Sequence, residues 1–399
     1  MTRFGHAMEK IDERIPGIDL PLMSVSQTRG VIRRSELTDA PQRAESLDAY
    51  KVCRRNDIVF NKMSIRAGAM GVAAEDGLVT YHYEVMRPRE ETDPHFIAYL
   101  MKSTWFTEEL IKRERGIGAG DQANVRTTEV PFSVLKTIDV YVPAYAAQRS
   151  IANYLDRETA RIGELIEEQR RLIEMLRERR TAVIAHATSQ GTDIELRRVI
   201  KALRQGWSPN CESWPADGVA EWGVLKVGCA NTGRFDPTEN KRLPDDETPR
   251  PELAVRQGEL VMSRSNSKDL VGAAAVVHGK YPRLLLSDLT YGLSLSDDVD
   301  SAFVAYALGS PGVRAQISAA SKGMSHSMQK ISQRDIRELR VRLPTLGEQR
   351  LIAEYLDEQT RKIATTIVET ERFIELARER RTALITAAVT GQIDVREMA

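Results

Sequence analysis

Only three cysteines occur in 399 residues, Cys53, Cys211 and Cys229, and their odd number and wide scatter exclude a disulfide framework. They read as reduced thiols. No C-x-x-C pair exists, and the six histidines, His6, His82, His95, His186, His278 and His326, lie far apart, so no zinc-binding spacing is present. Long apolar runs are missing as well. Stretches such as Phe96 to Met101 and Gly272 to Val277 fall far short of the ~20 residues a membrane span needs. The start Met-Thr-Arg-Phe-Gly-His carries no apolar secretory segment, so a cytoplasmic location is expected. Nor is there an excess of either charge: Lys plus Arg and Asp plus Glu each total 57, and no chain-wide field draws the molecule to a polyanion. Any binding to nucleic acid must come from locally segregated cations. Motifs for chemistry are equally scarce. Gly116-Ile117-Gly118-Ala119-Gly120 follows a helical segment rather than a strand, which excludes a dinucleotide fingerprint and a P-loop. There is no G-x-S-x-G elbow and no Asp-Pro-Pro-Tyr-type segment to hold a base amino group, and Asp57 with Lys62 lacks the intervening acidic residue of a metal-dependent nuclease. Binding without chemistry is therefore expected, with no catalytic or metal-ligating residue assigned.

What is present is a repeat. At 42% hydrophobic residues the chain is too apolar to be disordered, and 399 residues suggest two to four domains. The segment Gln148-Arg149-Ser150-Ile151-Ala152-Asn153-Tyr154-Leu155-Asp156 returns 201 residues later as Gln349-Arg350-Leu351-Ile352-Ala353-Glu354-Tyr355-Leu356-Asp357. The same offset, without a gap, aligns Arg177-Glu178-Arg179-Arg180-Thr181-Ala182 with its identical copy Arg378 to Ala383, and carries Val140 and Pro143 onto Val341 and Pro344. The chain is thus two copies of one unit, each a variable block followed by a related tail.

The tails read as long helices. Between Gln148 and Ala187 there is no proline and one glycine, Gly163, among good helix formers. Leu155, Ile162, Gln169, Leu176 and Val183 are spaced by seven, as are Leu356, Ile363, Thr370, Ala377 and Leu384, which makes a heptad seam. Further apolar residues at Leu165, Ile166, Leu172 and Ile173, and at Ile367, Phe373 and Ile374, widen the stripe beyond what one partner helix covers. Forty residues at ~1.5 Å each make a rod of ~60 Å. Antiparallel pairing of the two rods, with pseudo-twofold symmetry, is the simplest way to bury both stripes, although parallel pairing with another subunit also fits. The expected fold is mixed α/β: two variable domains separated by two long antiparallel coiled-coil helices. Its parts are residues 1–147, the helix at 148–195, the second domain at 196–347 and the second helix at 348–399.

Within the variable blocks, strands are expected at Asp57 to Lys62 and Leu78 to Val85, then a helix over Pro94 to Glu114; the second block repeats the order at Gly258 to Arg264, Arg283 to Leu286 and around Phe303 to Tyr306. Phosphate- and base-contacting groups follow the first strand of each block: Asn61, Lys62, Ser64 and Arg66, and then Arg264, Ser265, Asn266 and Lys268. A second set lies in glycine-rich loops after the helix, with Arg113, Arg115 and Arg126 in one block and Lys322, Ser325, Gln329 and Lys330 in the other. An ordinary solvated loop explains these about as well as a ligand site. The first block carries a charge of about −1 and the second about +4, short of a strong basic footprint.

Two unlike blocks alternating with two related helices, each helix preceded by Val-x-x-Pro and opened by Gln-Arg-x-Ile-Ala-x-Tyr-Leu-Asp, resemble the specificity subunit of type I restriction-modification systems. The resemblance covers the whole chain. It implies that each block is a target-recognition domain reading one half of a split sequence in double-stranded DNA, and that the helices space them and dock two methyltransferase subunits. At 3.4 Å per step, a ~60 Å rod equals about seventeen base pairs. The implied partners carry the S-adenosylmethionine, ATP and Mg, none being expected on this chain, and restriction subunits complete the assembly. Tyr154, Arg177, Arg179 and Arg180, with Tyr355, Arg378, Arg380 and Arg381, are the candidate partner contacts; for any single arginine, a solvated, dipole-favourable helix end is the simpler account. The alternative function is a protein-assembly scaffold that does not bind DNA.

Overall fold

A computed structural model describes residues 1–39, 46–114, 129–323 and 328–395. The first half runs β1 (Met8–Ile11), β2 (Ile58–Asn61), β3 (Met70–Val72), β4 (Tyr83–Pro88), α1 (Pro94–Lys102), α2 (Thr104–Glu114) and the long α3 (Tyr145–Ala187). The second runs β5 (Ile200–Gln205), β6 (Leu260–Ser263), β7 (Ser265–Asn266), β8 (Ala274–Val276), β9 (Thr290–Leu295), α4 (Ser301–Gly309), α5 (Pro311–Ala320), β10 (Gln329–Lys330) and the long α6 (Leu346–Val389).

The duplication extends to topology. In each half a four-stranded antiparallel sheet has the same order, β1-β4-β2-β3 and β5-β9-β6-β8. The strands at their centres, Ile-Val-Phe and Leu-Val-Met, are wholly buried, as expected of a strand covered on both faces. The strand expected at 283–286 is instead two residues, Leu284–Leu285, parallel to Gly223–Leu225 in a separate sheet; β9 takes the place equivalent to β4. The helix expected over 94–114 is broken at Ser103. Its hydroxyl donates to the Leu100 carbonyl at 2.7 Å and accepts from Phe106 N–H at 3.2 Å, ending one helix while capping the next. Ser310 stands at the same break in the other half, where Pro311 opens α5.

The chain folds into two compact units, Met1–Gln169 with Glu371–Ala399, and Arg170–Thr370. In the first, Ile151, Ala152 and Leu155 from the start of α3 share one core with Ile385, Ala388 and Val389 from the end of α6, and with Phe4, Phe60, Phe96 and Phe106. Within this unit the start of one long helix therefore meets the end of the other, the arrangement that antiparallel pairing calls for. In the second, Ala353 and Ile352 at the start of α6 pack on a core built from Leu260, Met262, Tyr291 and Phe303.

Each domain is fixed to its helix by the same pair of polar latches. Gln148 is buried; its Oε1 accepts from Asp93 N–H at 2.9 Å, while Nε2 donates to the carbonyls of Glu91 and Pro143. Gln349 repeats this toward Asp300 N–H and the Pro344 carbonyl. Asp93 and Asp300 in turn cap α1 and α4. One turn on, the Tyr99 hydroxyl donates to Asp156 and Tyr306 donates to Asp357, both at 2.6 Å. Burial, reinforced by those carboxylates, pushes both phenols up to about 12.

Along the rods, Leu356, Ile363, Thr370 and Ala377 are all buried, with Leu384 half-buried. On α3 the seam begins at Leu155 and Ile162, then passes to Ile166, Ile173 and Ile184, leaving Gln169, Leu176 and Val183 half-buried. This drift follows from the 3.6-residue turn of a straight helix against a seven-residue count. Thr370 satisfies its hydroxyl within its own helix by donating to the Thr366 carbonyl at 2.7 Å.

Candidate nucleic-acid and partner interfaces

In the second unit, strand pairing joins two clusters that are widely separated in sequence. Ser265 pairs with Lys330 and Asn266 with Gln329 in the β7–β10 ladder. Lys322 and Lys330 exchange backbone hydrogen bonds at 2.9 Å across the hairpin. Gly323 belongs to that hairpin, because a Cβ there would sit 2.3 Å from the Met328 carbonyl. Its lack of a side chain thus serves the chain's own packing before any ligand. Arg264, Lys322, Lys330 and Arg334 line one open cleft of about 510 Å³ with Tyr291 and Asp335. Arg264 donates to the Asp288 carbonyl at 2.9 Å, and the Tyr291 hydroxyl donates to the Ile331 carbonyl at 3.2 Å. Arg334 is paired with Glu338 at 2.9 Å, but among the described residues Lys322 and Lys330 form no ion pair, so these two remain available to an anionic ligand. Asn266 donates to Asn231 at 2.9 Å, bringing a third segment to the same edge, and Lys268 is exposed. Ser265 is buried and turns toward the Met328 sulfur, a poor position for touching a ligand.

The first unit has the same framework with different electrostatics. Val130 N–H donates to the Lys62 carbonyl, as Ile331 N–H donates to that of Arg264. Here, however, the cations are occupied: Lys62 meets Glu129 at 3.3 Å, and Arg113 meets Glu109 at 2.6 Å. The Asn61 side chain accepts from Met63 N–H at 3.0 Å, a local turn contact, while Ser64 and Arg66 follow in the next turn. Arg115, Arg126 and Ser325 lie outside the described residues. Tyr291 and Arg334 are cleft residues that the sequence patterns do not single out. Arg334 lies four residues beyond Lys330, in the short helix Gln333–Glu338 that follows the polar cluster; Tyr291, near the start of a buried strand, carries no sequence signal of its own.

The acidic groups closest to the sequence candidates are structural. Asp57 accepts both guanidinium nitrogens of Arg87, at 2.8 and 2.9 Å, and Glu259 binds Arg204 at 2.6 Å in the same way. Both carboxylates are almost fully buried, so pairing is what makes their burial tolerable. Among the described residues no group of three or more His, Cys, Asp or Glu side chains is arranged to hold a metal ion, and no helix is long and apolar enough to cross a membrane.

On the helices, the repeated tyrosines separate. Tyr154 is half-buried against the first core, whereas Tyr355 is 49% exposed. Arg179, Arg378, Arg380 and Arg381 are exposed, Arg177 pairs with Glu174 at 2.6 Å, and Arg180 donates to the Thr232 carbonyl at 3.4 Å. Leu351, Tyr355 and Val368 in the second unit, and Phe373 and Leu376 in the first, leave large apolar surface in solvent. Of these only Phe373 belongs to the widened stripe expected from the sequence, whose Ile166, Ile173 and Ile374 are instead buried.

No family model matches the chain. It is 34% identical over 148 residues to the type I restriction enzyme EcoEI specificity subunit of Escherichia coli, an alignment covering 37% of this chain and 25% of that protein. It is 23% identical over 291 residues to the EcoKI specificity subunit of E. coli K12, covering 69% of this chain and 60% of the relative. The chain thus spans less than two thirds of the length of either curated relative. Among solved structures, a chain from a type I R-M system superposes with a TM-score of 0.75 at 16% identity, covering 98% of this chain and 97% of that one. The HsdS subunit of Thermoanaerobacter tengcongensis gives 0.58 at 17% identity, over 98% and 96%. The fold is therefore that of the type I specificity subunit, and the sequence is related to the same proteins.

Proposed function

We propose that this chain, similar in sequence and fold to type I specificity subunits, is the non-catalytic DNA-reading subunit of such a restriction-modification complex. Each four-stranded domain reads one half of a bipartite duplex target, and the long helices carry the methyltransferase subunits. The observation that carries this reading is the duplication of one sheet and one helix with unlike surfaces: the β7–β10 cleft presents Lys322 and Lys330 outside any ion pair among the described residues, while Lys62 and Arg113 of the first domain are ion-paired. Two copies of one scaffold with different polar faces suit two different base sequences. Asn61, Lys62, Ser64, Arg66 and Arg113 at one face, and Arg264, Asn266, Lys268, Lys322, Gln329 and Lys330 at the other, are the proposed DNA contacts. The methyl donor, nucleotide and metal belong to the partner subunits. The complex works in the cytoplasm, where its DNA is.

Methylation mapping of DNA from cells with and without the chain tests this. A single split motif that vanishes with the chain is expected, and replacing the first domain by that of a relative should change one half of the motif only. An unchanged methylation pattern after either manipulation overturns the proposal.

A further inference from the structure

A second cavity, of about 220 Å³, lies in the first unit away from the strand-end cations, between α1, α3 and α6 and the turn at Thr28 and Arg29. Lys102 at the end of α1 and Arg381 on α6 both line it, beside the Tyr99–Asp156 latch. Among the described residues neither cation has a carboxylate within ion-pair distance. Burial, and then the charge of Arg381, hold the Lys102 amine below the usual lysine range. Arg29 in the same wall is already matched by Glu36 at 2.5 Å. Two cations face the single carboxylate of Asp156, which the Tyr99 hydroxyl already engages, so one positive charge is left over in the free chain and one bound anion would balance it. Asp156, which also lines the cavity, adds a negative charge, which makes the cavity unsuitable for a dianionic phosphate group and better matched to one monovalent carboxylate.

The second unit differs at the equivalent positions. By the common Tyr-Asp latch, Tyr99 corresponds to Tyr306, so Lys102 corresponds to Gly309 and His95 to Ala302. The latch is shared by both halves and each has an arginine near its tyrosine, Arg381 by Tyr99 and Arg234 by Tyr306, so the lysine is what distinguishes the first half.

We propose that this cavity is a socket for one carboxylate side chain of the protein that docks on the helices, and that the two docking sites of the chain are consequently unequal. The proposal rests on the reading of the chain as a subunit scaffold. Its test uses the full-length chain and the methyltransferase subunit that copurifies with it, with Lys102→Met, which keeps the apolar stem and removes the charge. The free variant is expected to melt about 2–4 °C higher than the parent, because an uncompensated charge is gone. Stepwise binding followed by native mass spectrometry and calorimetry should show one step weakened roughly tenfold to a hundredfold and the other unchanged, with Lys102→Arg restoring it. A lower melting temperature of the free variant, or two binding steps that Lys102→Met leaves unaltered, overturns the socket. Intact partner binding with weakened duplex binding by the free variant assigns the cavity to a DNA phosphate and overturns the carboxylate. Copurification of no methyltransferase at all removes the parent reading and the named occupant with it.

Discussion

Among individual residues, the molecule depends on a few polar side chains placed where water cannot reach. Gln148 is the clearest, 1% exposed and saturated by three backbone groups, two at the approach to α1 and one at Pro143. Gln148→Ala would leave Asp93 N–H and two carbonyls without partners, and each orphaned group costs ~1–3 kcal/mol. We expect a loss of about 2–4 kcal/mol in the urea unfolding of the first unit; a change within error would mean that the helix start holds its domain by apolar contact alone. The recurrence of this glutamine as Gln349, accepting from the matching N–H and donating to the matching proline carbonyl, explains why it stands inside the repeated motif. Its role was not legible in sequence, where it read only as a helix opening, because its partners at Glu91 and Asp93 lie far back along the chain.

Among the elements, the long helices bury one stripe and leave another exposed. Ile363 is buried on the seam, and Leu351, earlier on the same helix, is 68% exposed. Ile363→Ala should therefore cost about 2–5 kcal/mol of stability, whereas Leu351→Ala should stay within about 0.5 kcal/mol. If α6 docks a partner through its exposed side, Leu351→Ala should instead weaken copurification. Paired measurements of thermal unfolding and pull-down decide this, and equal stability losses for the two variants would contradict the two-stripe division. The heptad count foresaw the seam on α6 from local spacing alone. It misplaced the later part of the α3 seam, since which side of a helix is covered depends on the neighbour's position as well as on its own period.

For the molecule as a whole, each compact unit is assembled from chain that includes part of both long helices. The first requires Glu371–Ala399, because Ile385, Ala388, Val389 and Val395 complete the core beneath Phe4 and Phe106. Removing residues 371–399 is expected to abolish amide-exchange protection in β1–β4 while the sheet of the second unit keeps its protection. Uniform retention of protection would show that the first domain needs no contribution from α6. The same arrangement bears on the domain-replacement experiment: a transplanted first block must present its own Asp93- and Tyr99-type partners to Gln148 and Asp156, or it will fail to seat on the helix before any question of DNA reading arises.

Local period and identity at a constant offset were enough to establish the duplication, the two long helices with their apolar stripes, and the family resemblance. They also located the polar clusters after β2 and β6. Which of those clusters meet is a matter of folding: the β7–β10 ladder that joins Ser265 to Lys330, the carboxylates that neutralise Lys62 and Arg113, and the approach of Arg381 to Lys102 from the far end of the chain all bring together residues that no linear pattern connects. Helix formation and amphipathicity are governed by neighbours three and four residues away, whereas the electrostatic state of a cation is set by whatever charge lies within a few ångströms, however distant it is along the chain.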